Sequence, residues 1–170
     1  MNRPEKSEYA EFYAGYVARV EETDVVSALR DQLIEIERLF AEFPAEKADY
    51  RYAAGKWSVK ELLEHLIDAE RVFAYRALRI ARGDQTPLAG FAENDYVTRG
   101  NAANRAVGDL IEEFLYLRQS NVLMFEHLPR EAWTRTGIAS DARISVRALA
   151  YIMVGHLRHH LNILQTRYLI

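Results

Sequence analysis

Four stretches of this chain repeat apolar residues with a helical period, and that pattern constrains its fold more than anything else in the sequence. The first runs from about Val25 to Phe43, with Leu29, Leu33, Ile36 and Phe40 on one face. The second opens at Ser58. There Ser58-Val59-Lys60-Glu61 reads as a capping box, whose hydroxyl and carboxylate satisfy amides that a first helical turn leaves unpaired. It continues to about Arg82, where Gly83 stops it. The third runs from about Arg105 to His127, short of Pro129, and the fourth from about Ser145 to Tyr168. The eight glycines and four prolines fall mostly between these segments, and no alternating stretch with turn signals suggests a sheet. Four amphipathic helices of this length predict an all-α fold, a four-helix bundle.

A chain of 170 residues, 49% hydrophobic and 28% charged, is sized and composed for one domain with a packed core. Residues 1–22 form an extension ahead of the bundle proper at 23–170. Its Tyr9, Phe12, Tyr13, Tyr16, Val17 and Val20 make another amphipathic stripe, an additional helix expected across the bundle or against a partner subunit. Lys plus Arg is 22 against 25 Asp plus Glu, a net charge of −3 with no basic cluster. That balance excludes a nucleic-acid partner. There is no cysteine, so no disulfide, thiolate ligand or cysteine nucleophile. MNRPEKSEYAEF lacks the apolar core of a secretory signal, and no apolar run approaches membrane-spanning length. The expected location is therefore cytoplasmic, with no membrane partner. Two connections, 83–104 and 129–144, exceed tight turns and are the places for lids and site walls.

The stretch GHLRHHLNIL, residues 155–164, holds three of the five histidines. Leu149, Met153, His156, His160, Ile163 and Arg167 follow spacings of 4, 3, 4, 3, 4, an inward stripe with histidine at two central positions. An i, i+4 pair leaves one face a turn apart and can grip one divalent ion. His65 flanks the buried face of the second helix, about 10 Å from its N-cap, and His156 lies about 16 Å from its own. In a simple up-down bundle those two helices run parallel, and the imidazoles of His65, His156 and His160 meet at similar depth. Three neutral histidines with an open fourth position make the pattern of a catalytic zinc-type site. A zincin motif is absent, since Leu157 stands where its glutamate belongs. A di-iron carboxylate motif is absent too, because Met153, Met124 and Leu62 precede His156, His127 and His65 by three. Spacing alone also admits polar packing on an amphipathic helix. His127 suits a helix C-terminus as a structural residue. His159, rotated about 60° from His156, is expected beside the ligands or in solvent. Asp68 is a candidate acceptor for a ligand ring proton, or a surface carboxylate. Trp57 and Trp133 read as core anchors at helix ends.

These residues resemble the DinB-like (YfiT-type) superfamily over nearly the whole chain. The resemblance rests on YAAGKWSVKELLEHLIDAERVFAYRALRIARGD (52–84), PLAGFAENDYV (87–97) and SVRALAYIMVGHLRHHLNILQTRY (145–168). It implies a mononuclear divalent site of nickel or zinc character, with iron or manganese as substitutes, held by His65, His156 and His160. It further implies a homodimer and either transfer of a low-molecular-weight thiol or hydrolysis. Two departures stand out. Leu157 occupies a position often Glu in relatives, and Ala92 one that is often acidic, with Glu93 next door.

The resulting expectation is a metal-dependent enzyme of small molecules, a thiol S-transferase or hydrolase, whose ion makes a nucleophile of water or an incoming thiol at neutral pH. Asp68, Glu93 and His159 are the candidates for proton handling. The alternative is a non-catalytic, stress-associated interaction module with a structural or vestigial metal site.

Overall fold

Each periodic stretch is a helix in the computed structural model, which describes residues 2–41 and 43–169. Residues 1 and 170, the ends of the expected domain, and residue 42 of the expected first helix lie outside these. The order is α1 (Ala14–Val17), α2 (Val25–Ala41), α3 (Val59–Ala81), α4 (Glu93–Arg99), α5 (Val107–Glu126), β1 (Thr136–Ala139), β2 (Ala142–Ser145) and α6 (Val146–Ile163). A π-helical turn, Leu164–Tyr168, extends α6. The capping box closes as expected: Glu61 N donates to Ser58 Oγ at 3.2 Å, and Ser58 N donates to Glu61 Oε2 at 2.7 Å. Gly83, at φ 81°, ends the α3 segment in the left-handed conformation that glycine adopts without a Cβ penalty.

The bundle is formed by α2, α3, α5 and α6, with α2 and α3 each packed against both α5 and α6. Helices consecutive in sequence, α2 and α3, therefore sit at opposite corners. The parallel arrangement expected for the second and fourth helices does not occur. The C-terminus of α3 meets the approach to α6, where Arg135 donates to Ala81 O. At the other end Tyr168 Oη donates to Trp57 O at 2.7 Å, just ahead of α3. So α3 and α6 are adjacent and antiparallel, while α3 and α5 run the same way. The physical reason is the long connection 82–106. It returns the chain along a helix of 23 residues, about 34 Å, which a tight turn cannot do. Glu64 fastens this return, accepting from Asn101 N at 3.1 Å and Ala102 N at 3.2 Å.

Two further differences follow from local chemistry. The second long connection contains a β-hairpin, β1 antiparallel to β2 with Thr136 opposite Ser145 and Ala139 opposite Ala142. Its turn residues, Ser140 and Asp141, take positive φ of 51° and 61° without the glycine that usually announces such a turn. The N-terminal extension holds two 3₁₀ turns, Lys6–Glu8 and Glu11–Tyr13, and the single-turn α1, which is laid across α6. Gly155 permits that crossing, since a Cβ there would overlap the carbonyl oxygen of Tyr16.

The apolar core divides into one cluster around Phe73, Leu149 and Trp133 and another around Leu66, Phe114 and Leu161. A polar layer crosses the bundle at their junction. Arg118 holds Glu70 through two bonds of 2.8 and 2.9 Å and donates to Gln32 Oε1 at 2.5 Å. Gln32 in turn donates to Val154 O at 2.9 Å, so the layer ties all four helices. Trp133 is a core anchor, stacked on Phe125 at 5.5 Å.

Candidate metal centre

His65 on α3 and His156 and His160 on α6 are all buried, and their ligand-capable atoms lie within 4.8 Å of one another. Similar depth results because the helices are antiparallel: His65 is one to two turns from the start of α3, and the pair is near the end of α6. Nε2 of His156 is 3.1 Å from Nε2 of His65 and 3.2 Å from Nε2 of His160. Ligand nitrogens about 2.0–2.1 Å from one tetrahedral ion stand about 3.4 Å apart, so the spacing fits. Mutual hydrogen bonding is a poorer account. A neutral imidazole nitrogen offers either one proton or one lone pair, and His156 Nε2 faces two partners at once. A cation satisfies all three lone pairs.

The electrostatics favour the same donor set. Burial lowers the His65 pKa to about 4, with a smaller contribution from His159. Burial likewise holds His156 and His160 well below the usual imidazole value, reinforced for each by its histidine neighbours. All three rings are thus neutral near pH 7, the form that binds metal. Aromatic walls fix their planes. Trp57 tilts over His65 at 4.8 Å, and Tyr16 and Phe73 meet His156 edge-on at 5.3 and 5.7 Å. Trp57 is accordingly a wall of the site as well as a helix-end anchor. Nδ1 of His160 is buried and has no partner among the described residues.

Two clefts reach this cluster. One, about 600 Å³, is lined by His65, His156, Tyr13, Tyr16, Phe73 and Glu93. The other, about 220 Å³, is lined by His160, Trp57, Tyr52 and Tyr168, and Asn94 of α4 lines both. Such volumes suit small molecules.

The remaining candidates separate. Glu93 is in the larger cleft beside Ala92. The Tyr16 phenol is raised in pKa by burial and secondarily by the Glu93 charge. His159 is half-buried, edge-on to Tyr16 at 5.5 Å and His160 at 4.9 Å, and burial lowers its pKa. Asp68 is half-buried on α3. Burial raises its pKa, followed by the Glu64 charge, and no hydrogen bond joins it to a histidine among the described residues. His127 caps α5 at the surface, with Nδ1 2.8 Å from Leu123 O. Leu157 is 1% exposed within the second core cluster, so its side chain belongs to the core rather than to either cleft. One site feature was not anticipated from sequence. The N-terminal stripe was expected across the bundle, but its direct contact with His156 through Tyr16 depends on where it crosses α6, which Gly155 signals.

The profile of the DinB superfamily matches residues 28–164. Among solved structures, the fold is similar to that of YfiT from Bacillus subtilis, described as a probable metal-dependent hydrolase with an unusual four-helix bundle topology. The TM-score is 0.74 at 14% identity, over 93% of this chain and 86% of that one. It is similar also to a mycothiol-dependent maleylpyruvate isomerase, with a TM-score of 0.67 at 10% identity over 85% of this chain. Here the chain spans 61% of the length of that isomerase. No curated protein matches the sequence.

Proposed function

This chain belongs to the DinB superfamily, and from that premise we propose that it is a divalent-metal-dependent enzyme of small molecules, a thiol S-transferase or a hydrolase. The observation that carries the reading is the convergence of three buried, neutral imidazoles in a cluster that two clefts reach. A divalent ion held by His65, His156 and His160, nickel or zinc in the first instance, would supply Lewis acidity that activates an incoming thiol or water. The protein's own residues do the rest. Trp57, Tyr16 and Phe73 exclude water around the imidazoles and fix their orientation. Glu93, on the wall of the larger cleft, would accept a proton from a bound nucleophile, and His159 adjoins Tyr16. Thiol transfer is favoured over hydrolysis by the second cleft. Two chambers meeting at one histidine cluster suit two substrates, and a chain without cysteine needs its thiol from a cosubstrate.

The test is metal content of untagged protein, beside His65→Ala and His160→Ala. About one divalent ion per chain, lost in both variants while they remain helical, supports the site. That result also names the ion for transfer and hydrolysis assays. Protein that is metal-free and cannot be loaded overturns the reading. Loading without turnover of any thiol–electrophile pair or ester favours a non-catalytic interaction module.

A further inference from the structure

We propose that Arg76 and Ser140 form a binding point for the carboxylate of a small-molecule substrate, at the hairpin end of the larger cleft. The proposal deepens the reading of that cleft as a substrate site and rests on it.

Arg76 on α3 is 1% exposed. Its Nη2 donates to Ala89 O at 2.8 Å and to Ser140 Oγ at 2.9 Å. Its Nη1 is buried with no acceptor among the described residues, and none of their carboxylates bonds to it. Arg118, buried to the same degree, shows the usual solution, a bidentate Glu70. A guanidinium taken out of water without an anion is unfavourable unless something compensates it.

Ser140 connects this charge to the cleft. It is exposed, it lines the cleft that His65 and His156 also line, and its hydroxyl oxygen accepts from the guanidinium. The hydroxyl hydrogen is then free to donate outward, strengthened by the cation behind it. The backbone holds Ser140 there at a cost, with φ 51° followed by 61° at Asp141, where hairpins ordinarily place Gly or Asn. Strain of this kind concentrates at working positions. Gly90 faces the hydroxyl, and a Cβ at that position would stand 3.3 Å from Ser140 Oγ.

The lining also limits the ligand. Glu93 and Asp95 put carboxylates on the α4 side of the cleft, so a second anionic group is disfavoured there. Phe73, Phe91 and Tyr13 offer apolar surface between. A monocarboxylate with an apolar body fits both ends, whereas a phosphate dianion would meet one cation and two carboxylates.

The experiment titrates untagged full-length protein with benzoate and, separately, with neutral benzamide, at constant ionic strength. It is run on metal-loaded and on chelated protein, beside Arg76→Gln, Arg76→Lys and Ser140→Ala. Benzoate is expected to bind wild-type protein in both metal states, and more tightly than benzamide. Arg76→Gln should weaken benzoate about tenfold, the loss of the positive charge behind the Ser140 hydroxyl, without changing benzamide. Arg76→Lys should restore part of the difference. Ser140→Ala, at an exposed turn, gives the same direction if Arg76→Gln does not fold. Equal binding of benzoate and benzamide, or benzoate binding indifferent to these variants, overturns the proposal. Benzoate binding that survives Arg76→Gln but vanishes on chelation places the carboxylate on the ion, overturning the subsite while the metal reading stands. Benzoate binding that depends on Arg76 in protein that never takes up metal sustains the subsite while the metal reading fails.

Discussion

Gly155→Ala sets two effects of opposite sign against each other. Within α6, alanine is the better helix former by about 0.8–1 kcal/mol. Against this, the new methyl would overlap Tyr16 O and stand 3.0 Å from Tyr16 Cα. The obstacle is backbone, so no rotamer change relieves it. The crossing segment is tied down by Val17 and Val20, 1% and 0% exposed, by Arg3 Nη2 on Val17 O at 2.5 Å, and by Arg158 Nη1 on Arg19 O at 3.0 Å. Squeezing the methyl in costs about 1–3 kcal/mol. Peeling the segment away exposes two valines, about 1.5 kcal/mol or more each. Taking about 2–3 kcal/mol for the cheaper route and subtracting the propensity gain leaves a net loss of about 1–2 kcal/mol. At roughly 2–4 °C per kcal/mol for a domain of this size, Tm should fall by about 2–8 °C. Thermal unfolding followed by circular dichroism at matched metal content measures it, with hydrogen exchange of amides 14–20 reporting the loosened segment. A Tm that rises by a few degrees, as propensity alone requires, would refute the close crossing.

Glu70→Ala leaves Arg118, 1% exposed, without its carboxylate and should cost about 3–5 kcal/mol in urea unfolding. Joint replacement of both residues by apolar ones should recover much of this, and a single-variant loss below about 1 kcal/mol would mean the layer is open to water. Tyr168 is pushed up to about 12, first by burial and then by Tyr52. Its phenol therefore stabilises the fold fully below the unfolded value near 10, and that stability drains away as pH rises from 10 to 12, on the order of 2–3 kcal/mol. Tyr168→Phe should remove this alkaline limb from the urea midpoint, and parallel curves for the two proteins would show that the phenol is solvated. Ser58→Ala should cost about 1 kcal/mol, because Glu61 N loses its acceptor at the start of α3. An unchanged midpoint would show that the cap contributes nothing.

Helix limits were legible because they are local. The apolar period, the Ser58 cap and the Gly83 stop act within a few residues, and α3 spans Val59–Ala81 close to where they place it. The pairing of His156 with His160 was legible for the same reason, since i, i+4 geometry needs no tertiary information. His65 is marked in the sequence by its place beside a buried face and by the family resemblance. Its depth beside the α6 pair follows from antiparallel helices, not from the parallel pair that an up-down bundle predicts.

The amino-acid pattern by itself determined that there are four long helices, which faces they bury, and which two imidazoles share a face. Only the tertiary structure decided that α2 and α3 take opposite corners, that α3 and α6 are antiparallel, and that Ser140, on the wall of the histidine cleft, accepts from the buried Arg76 behind it. The physical reason is range. Helix periodicity and capping are settled by neighbours within a turn. Corner and direction are settled by how long connections return across the bundle, through contacts such as Glu64 to Asn101 that link residues far apart in sequence.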